Sequence, residues 1–206
     1  MAETISGHIQ LEQGLRLGIE GELDERELAD VERIVIVACG TSYHAGLVGR
    51  YAIEQWARVP VEVDIASEYR YRNPVIGPGD LMIGISQSGE TADTLAAMRT
   101  ARERGAHVLA VTNIMGSQAT RDADGVLYTR AGLEIGVAAT KTFVAQLVAM
   151  YLFALRLAEL RGTLPPDELR ANVAELRRLP HAISELLQKC APAVERVATA
   201  TPPTPG

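Results

Sequence analysis

Aromatic residues are scarce in this chain, at 4%, so any core it builds must be aliphatic, as buried parallel strands usually are. Cysteine is nearly absent. Cys39 and Cys190 are far apart and form no CxxC pair, which excludes a disulfide scaffold and fits a reduced, cytoplasmic setting. Cys39 follows an apolar run and reads as a small core residue rather than a nucleophile. The histidines His8, His44, His107 and His181 are scattered without metal-ligand spacing, so no metal site is predicted. Positive charge is not in excess. The formal net charge of −6 argues against a nucleic-acid surface, though not against an anionic ligand, which local donors decide. No signal peptide is visible, and no apolar run reaches the ~20 residues of a membrane span. The lysine-bearing P-loop and GxGxxG are both missing from the glycine-containing turns, so no nucleotide or other cofactor is expected.

What is present is 206 residues, 47% of them hydrophobic, enough for one α/β domain with an added helical segment. The run Gly84-Ile85-Ser86-Gln87-Ser88-Gly89-Glu90-Thr91 is the most informative stretch. It follows apolar Leu81-Met82-Ile83 and precedes a helix-like stretch, 92–104. That is a strand, a turn rich in hydroxyls and a helix start, where free N–H groups and the helix dipole attract an anion. Ser88 or Thr91 would also serve as an ordinary helix cap, with Glu90 favouring the first turn. A second turn of the same kind follows the strand Ile34-Val35-Ile36-Val37-Ala38, namely Cys39-Gly40-Thr41-Ser42 before a helix-like run, 43–57. Two such units place two helix N-termini at one edge of a parallel sheet, where open α/β folds bind ligands. A single phosphate on a small molecule fits these turns better than a nucleotide.

The βα rhythm is regular from Val31 onward. Strands are expected at 33–38, 61–65, 81–86, 107–112 and 124–129, and helices at 42–57, 91–104 and 140–161. A further amphipathic helix is expected from Glu168 to Lys189. This predicts a three-layer αβα sandwich with right-handed crossovers around a five-stranded parallel sheet in the order 2-1-3-4-5, flavodoxin-like in plan. Residues 1–30, dotted with Gly7, Gly14, Gly18 and Gly21, read as an arm or linker, with short strands or an arm packed on a neighbour. Residues 31–190 form the domain and 191–206, ending in Pro202-Pro203-Thr204-Pro205-Gly206, a disordered tail. The apolar face from Phe143 to Leu157 predicts a homodimer, unless the helix from Glu168 covers it.

Four motifs in register carry a resemblance: Ala38-Cys39-Gly40-Thr41-Ser42-Tyr43, Ala66-Ser67-Glu68-Tyr69-Arg70-Tyr71-Arg72, Ser86 through Leu95, and Glu134-Ile135-Gly136-Val137-Ala138-Ala139-Thr140-Lys141. Over residues 30 to 190 the chain resembles the first sugar isomerase (SIS) domain in the isomerase part of glucosamine-6-phosphate synthases, the glutamine–fructose-6-phosphate aminotransferases of amino-sugar biosynthesis. The resemblance implies that Thr41, Ser42, Ser86, Gln87, Ser88 and Thr91 hold a sugar phosphate, and that Val137 and Ala139 line the sugar of fructose 6-phosphate or glucosamine 6-phosphate. Ala139 stands where the family commonly has serine, so one hydroxyl contact to the sugar is absent.

That family also carries an N-terminal glutaminase domain with a cysteine nucleophile, whereas this chain starts Met1-Ala2-Glu3. Its second SIS domain supplies a catalytic glutamate, a lysine, a ring-opening histidine and a lid, and residue 206 comes before any of these. The chain is therefore expected to bind the sugar phosphate but to be catalytically incomplete. Glu90 and Glu134 are the candidates available for the base that aldose–ketose isomerisation needs. Glu90 reads as a helix-start residue, Glu134 as a base or a loop anchor, His44 as a surface group and Arg70 and Arg72 as a solvated face, so no catalytic residue is assigned. Two alternatives remain: a regulatory phosphosugar-binding SIS module, and a small stand-alone phosphosugar isomerase.

Overall fold

The central strands are buried along nearly their whole length, with successive side chains on opposite faces of the sheet, and that sets the layers. In the strand Arg33–Ala38, Ile34, Ile36 and Ala38 pack into one apolar cluster while Val35 and Val37 pack into another on the opposite face. Helices must therefore cover both sides of the sheet. The computed structural model describes residues 1–10, 14, 15, 17–135 and 139–200.

Along the chain the elements are α1 (Ala2–His8), β1 (Ile9–Gln10), β2 (Gly14–Leu15), β3 (Ile19–Gly21), α2 (Glu25–Asp30), β4 (Arg33–Ala38) and α3 (Gly40–Ala52), which runs into a π-helical turn, Ile53–Ala57. Then come β5 (Val61–Ile65), α4 (Ala66–Tyr69), β6 (Asp80–Ser86), α5 (Ala92–Glu103), β7 (His107–Thr112), α6 (Gln118–Asp122), β8 (Gly125–Tyr128), α7 (Lys141–Arg161) and α8 (Pro166–Ala200).

The main sheet has six strands in the order β3-β8-β7-β6-β4-β5. It is mixed, not a purely parallel five-stranded sheet as expected from the sequence. β3 pairs antiparallel with β8, with Ile19 opposite Leu127 and Gly21 opposite Gly125. Its three residues are too few to show a period-two pattern. Gly21 has φ +127°, and a Cβ there would sit 2.4 Å from the Asp124 carbonyl oxygen, so only glycine closes this edge.

On one face of the sheet, α3 and α7 pack over Ile34, Ile36, Ile83, Ile85 and Val111 through Met150, Phe153 and Leu157. On the other, α4, α5 and α6 contribute Tyr69, Leu95, Met98 and Ala119 over Val35, Val37, Met82 and Val108. The N-terminal arm forms part of this body. Ile5, Ile9 and Leu15 meet Val148, Leu152 and Leu155 on the outer side of α7, together with Leu176 of α8.

The helix α7 is thus covered on two sides, which explains its composition. It has 21 residues with a hydropathy of 1.6, long and apolar enough to cross a membrane, yet 61% of that apolar window is buried in the domain. A helix that is hydrophobic all round is what a buried position requires. The helix α8 continues to Ala200, through residues 191–200 that were expected to begin a disordered tail. Its alanines there are good helix formers. Residues 201–206 lie outside the described residues.

Candidate functional site

Three helices begin at the C-terminal edge of the sheet: α3 after β4, α5 after β6, and α7. Between them lies a pocket of about 180 Å³, lined by Cys39, Ser42, Ile85, Ser86, Gln87, Ser88, Thr91, Glu134, Ala139 and Thr142. Of the residues singled out in the sequence, Ser42, Ser86, Gln87, Ser88, Thr91 and Ala139 meet here. Thr41 is exposed in the first turn of α3 and is not among the lining residues. Val137 lies outside the described residues.

The turn 86–91 is ordered by its own hydroxyls. Ser86 Oγ and Thr91 Oγ1 are 2.9 Å apart, Gly89 N–H donates to Ser86 Oγ at 3.1 Å, and Glu90 N–H donates to Ser88 Oγ at 3.2 Å. Gly89 has φ +67°, and a Cβ there would lie 2.1 Å from Ser117 Oγ, so glycine is required. Thr91 is the N-cap residue of α5, but its side chain makes no capping bond. Cys39 likewise precedes α3 without a side-chain cap. Both helices therefore present uncapped N-termini, the positive ends of their dipoles, toward the pocket.

The third N-terminus is occupied. Glu134 Oε1 accepts from Thr140 N–H at 3.2 Å, Thr140 Oγ1 at 2.8 Å and Lys141 N–H at 3.1 Å, and Oε2 accepts from Thr142 Oγ1. The Thr142 hydroxyl, then the Thr140 and Lys141 donors, outweigh desolvation and hold the Glu134 carboxyl down to about 2. A carboxylate so held is a weak base near neutral pH and serves as the anchor of α7. Glu90 Oε1 accepts from Gln118 N–H at 2.7 Å at the start of α6, so it fixes the neighbouring loop.

The basic motif after β5 is likewise absorbed into the scaffold. Arg70 pairs with Asp93 at 2.7 Å, and Arg72 pairs with Glu62 at 2.5 Å and Asp64 at 2.7 Å. No group of three or more His, Cys, Asp or Glu side chains suited to a metal ion occurs among the described residues.

Two contributors were not foreseen. Thr142 lines the pocket from α7. Gln146, one turn further, donates from Nε2 to Ser42 Oγ at 3.0 Å. The Thr140-Lys141-Thr142 start of α7 repeats the hydroxyl-rich signature of the other two turns, so Thr142 had a sequence signal. Gln146 had none beyond being polar within an apolar helix.

Comparison with known proteins shows that the chain belongs to the SIS domain family. The SIS domain profile matches residues 27–156. Over 95% of its length the chain is 50% identical to the glutamine–fructose-6-phosphate aminotransferase (isomerising) of Mycobacterium tuberculosis, and it spans 31% of that protein. The corresponding enzyme of Clostridium tetani is 52% identical over 90% of the chain, which spans 30% of that protein. Among solved structures, the C-terminal domain of glucosamine–fructose-6-phosphate aminotransferase from Francisella tularensis superposes with a TM-score of 0.88. That match has 36% identity and covers 95% of this chain and 55% of that one.

Proposed function

We propose that this chain, which belongs to the SIS domain family, is the sugar-phosphate-binding SIS domain of a glutamine–fructose-6-phosphate aminotransferase acting in amino-sugar biosynthesis. Its ligand is fructose 6-phosphate or glucosamine 6-phosphate. The observation that carries this reading is the meeting of Ser42, Ser86, Ser88 and Thr91 in one pocket under the uncapped starts of α3 and α5. Hydroxyl donors and two positive dipole ends suit a phosphate dianion. Gln87 lies at the same pocket with the phosphate-holding residues, and Ala139 would border the sugar. Ala139 offers no hydroxyl, so the phosphate supplies most of the affinity.

In this reading the chain binds and orients the substrate and leaves proton transfer to groups outside the described residues. Glu134 is held near pKa 2 as a helix anchor, and Glu90 is committed to Gln118. Aldose–ketose isomerisation needs a base within reach of the carbon-bound proton, and binding alone does not lower that barrier.

The homodimer expected from α7 belongs to the same proposal, but not by that surface, since the arm and α8 cover the outer side of α7. An exposed apolar stripe on α8, made of Leu179, Leu186, Leu187 and Val194, is the surface that would meet a second copy.

Calorimetric titration with fructose 6-phosphate, glucosamine 6-phosphate and inorganic phosphate tests the reading. Micromolar to millimolar binding of the sugar phosphates supports it. No heat and no stabilisation with any of them at tens of millimolar would reject it.

A further inference from the structure

Gln146 sits behind Ser42, outside the pocket lining, one turn beyond Thr142 and beside the apolar Ala145, Ala149 and Met150 of α7. It is 2% exposed. Its Nε2 donates to Ser42 Oγ at 3.0 Å, and its Oε1 is buried with no hydrogen-bond partner among the described residues. Packing alone does not account for it. Methionine or leucine would fill a similar volume in this apolar setting without an orphaned oxygen, whose desolvation is a pure cost.

We propose that Gln146 is a positioning residue that sets the direction of the Ser42 hydroxyl and so makes Ser42 a donor to an anion in the pocket. A serine hydroxyl has one hydrogen and two acceptor lone pairs. Accepting from the Gln146 amide engages a lone pair, so the single hydrogen is directed away from that amide. Ser42 lines the pocket and Gln146 does not, so the hydrogen is left for the pocket. With the amide turned the other way, Oε1 would accept the Ser42 hydrogen and the serine would offer a phosphate only lone pairs, which repel it. The amide thus selects the hydroxyl orientation that an anion needs, before the anion arrives. It also ties the start of α3 to α7 across one side chain. This inference rests on the reading that the pocket takes a phosphate.

The test is a double-mutant cycle on the full chain with Ser42→Ala and Gln146→Met, with Gln146→Leu as a second variant at the same position. Affinity for fructose 6-phosphate and for inorganic phosphate is measured by calorimetry, and melting temperature without ligand by scanning calorimetry. Gln146→Met should keep or raise the melting temperature while weakening both ligands about tenfold or more, the scale of a lost hydrogen bond to a charged group. In the Ser42→Ala background the same substitution should change affinity less than about twofold, because the hydroxyl it orients is gone. Additive losses, or wild-type affinity in both Gln146 variants, overturn the inference and leave the phosphate site standing. A wild-type chain that binds neither ligand overturns both.

Discussion

At the scale of single residues, the hydroxyl turn separates two roles that look identical in sequence. Thr91 occupies the N-cap of α5 but turns its oxygen to Ser86 rather than to the helix. Thr91→Ala and Ser88→Ala are therefore expected to weaken sugar-phosphate binding by about tenfold or more, as for a hydrogen bond worth about 1.5–3 kcal/mol. Thr91→Ala should also change stability by less than the ~1 kcal/mol typical of a lost cap. Titration and thermal melts on the same variants separate the two; a large stability loss with unchanged affinity would identify Thr91 as a cap. Glu134 is the opposite case, a residue of the pocket lining held as the anchor of α7. Its folded pKa of about 2 lies below the ordinary 4.5, so its contribution is fully present above pH 4.5 and is lost as pH falls through 2. Glu134→Gln is expected to lower the melting temperature at pH 7 and to flatten its fall across that acid window. An unchanged melting curve would show that the α7 anchor contributes nothing.

At the scale of elements, α1 is pinned by a buried histidine. His8 is fully buried, and its Nε2 donates to the Tyr128 carbonyl at 2.9 Å at the end of β8. Burial, aided by the Arg130 charge and opposed by the bond to Tyr128, lowers its pKa from 6.5. The unfolded chain then binds a proton at higher pH than the folded one. Stability conferred by neutral His8 is complete above pH 6.5 and declines as pH drops from there toward the folded pKa. Melting temperature should fall across that window, and His8→Gln should flatten this part of the profile. Faster amide exchange in α1 than in α7 at pH 5.5 would place the loosening in the arm. A profile identical in the wild type and His8→Gln would exclude the coupling.

At the scale of the whole molecule, ligand and partner make separate predictions. A sugar phosphate at about 100 times its Kd stabilises the folded state by roughly 2.7 kcal/mol, a visible rise in melting temperature. Light scattering should give a dimer mass at high concentration, motivated by the exposed stripe on α8. Replacing Leu186 and Leu187 together with glutamate should return the monomer and remove the dependence of the melt on protein concentration. A monomeric wild type would leave that stripe without a second copy.

The βα alternation, the aliphatic strands and the hydroxyl turns were legible in the sequence because each is local. A short apolar run, the glycine-containing turn after it and a cluster of serines all lie within ten residues of one another. The hydroxyl-lined pocket was half legible for the same reason, since 39–42 and 86–91 each announce themselves. What needed the tertiary structure were relations between distant segments. Three-residue β3 becomes a strand only because β8 offers it an edge. The outer apolar side of α7, which by pattern called for a partner, is covered by Ile5, Ile9, Leu15 and Leu176 of the same chain. Glu134 changes from candidate base to helix anchor through Thr140, Lys141 and Thr142. The contact between Gln146 and Ser42 spans 104 residues. A side chain's chemistry is written in its type, but what it donates to is settled only when the chain has closed around it.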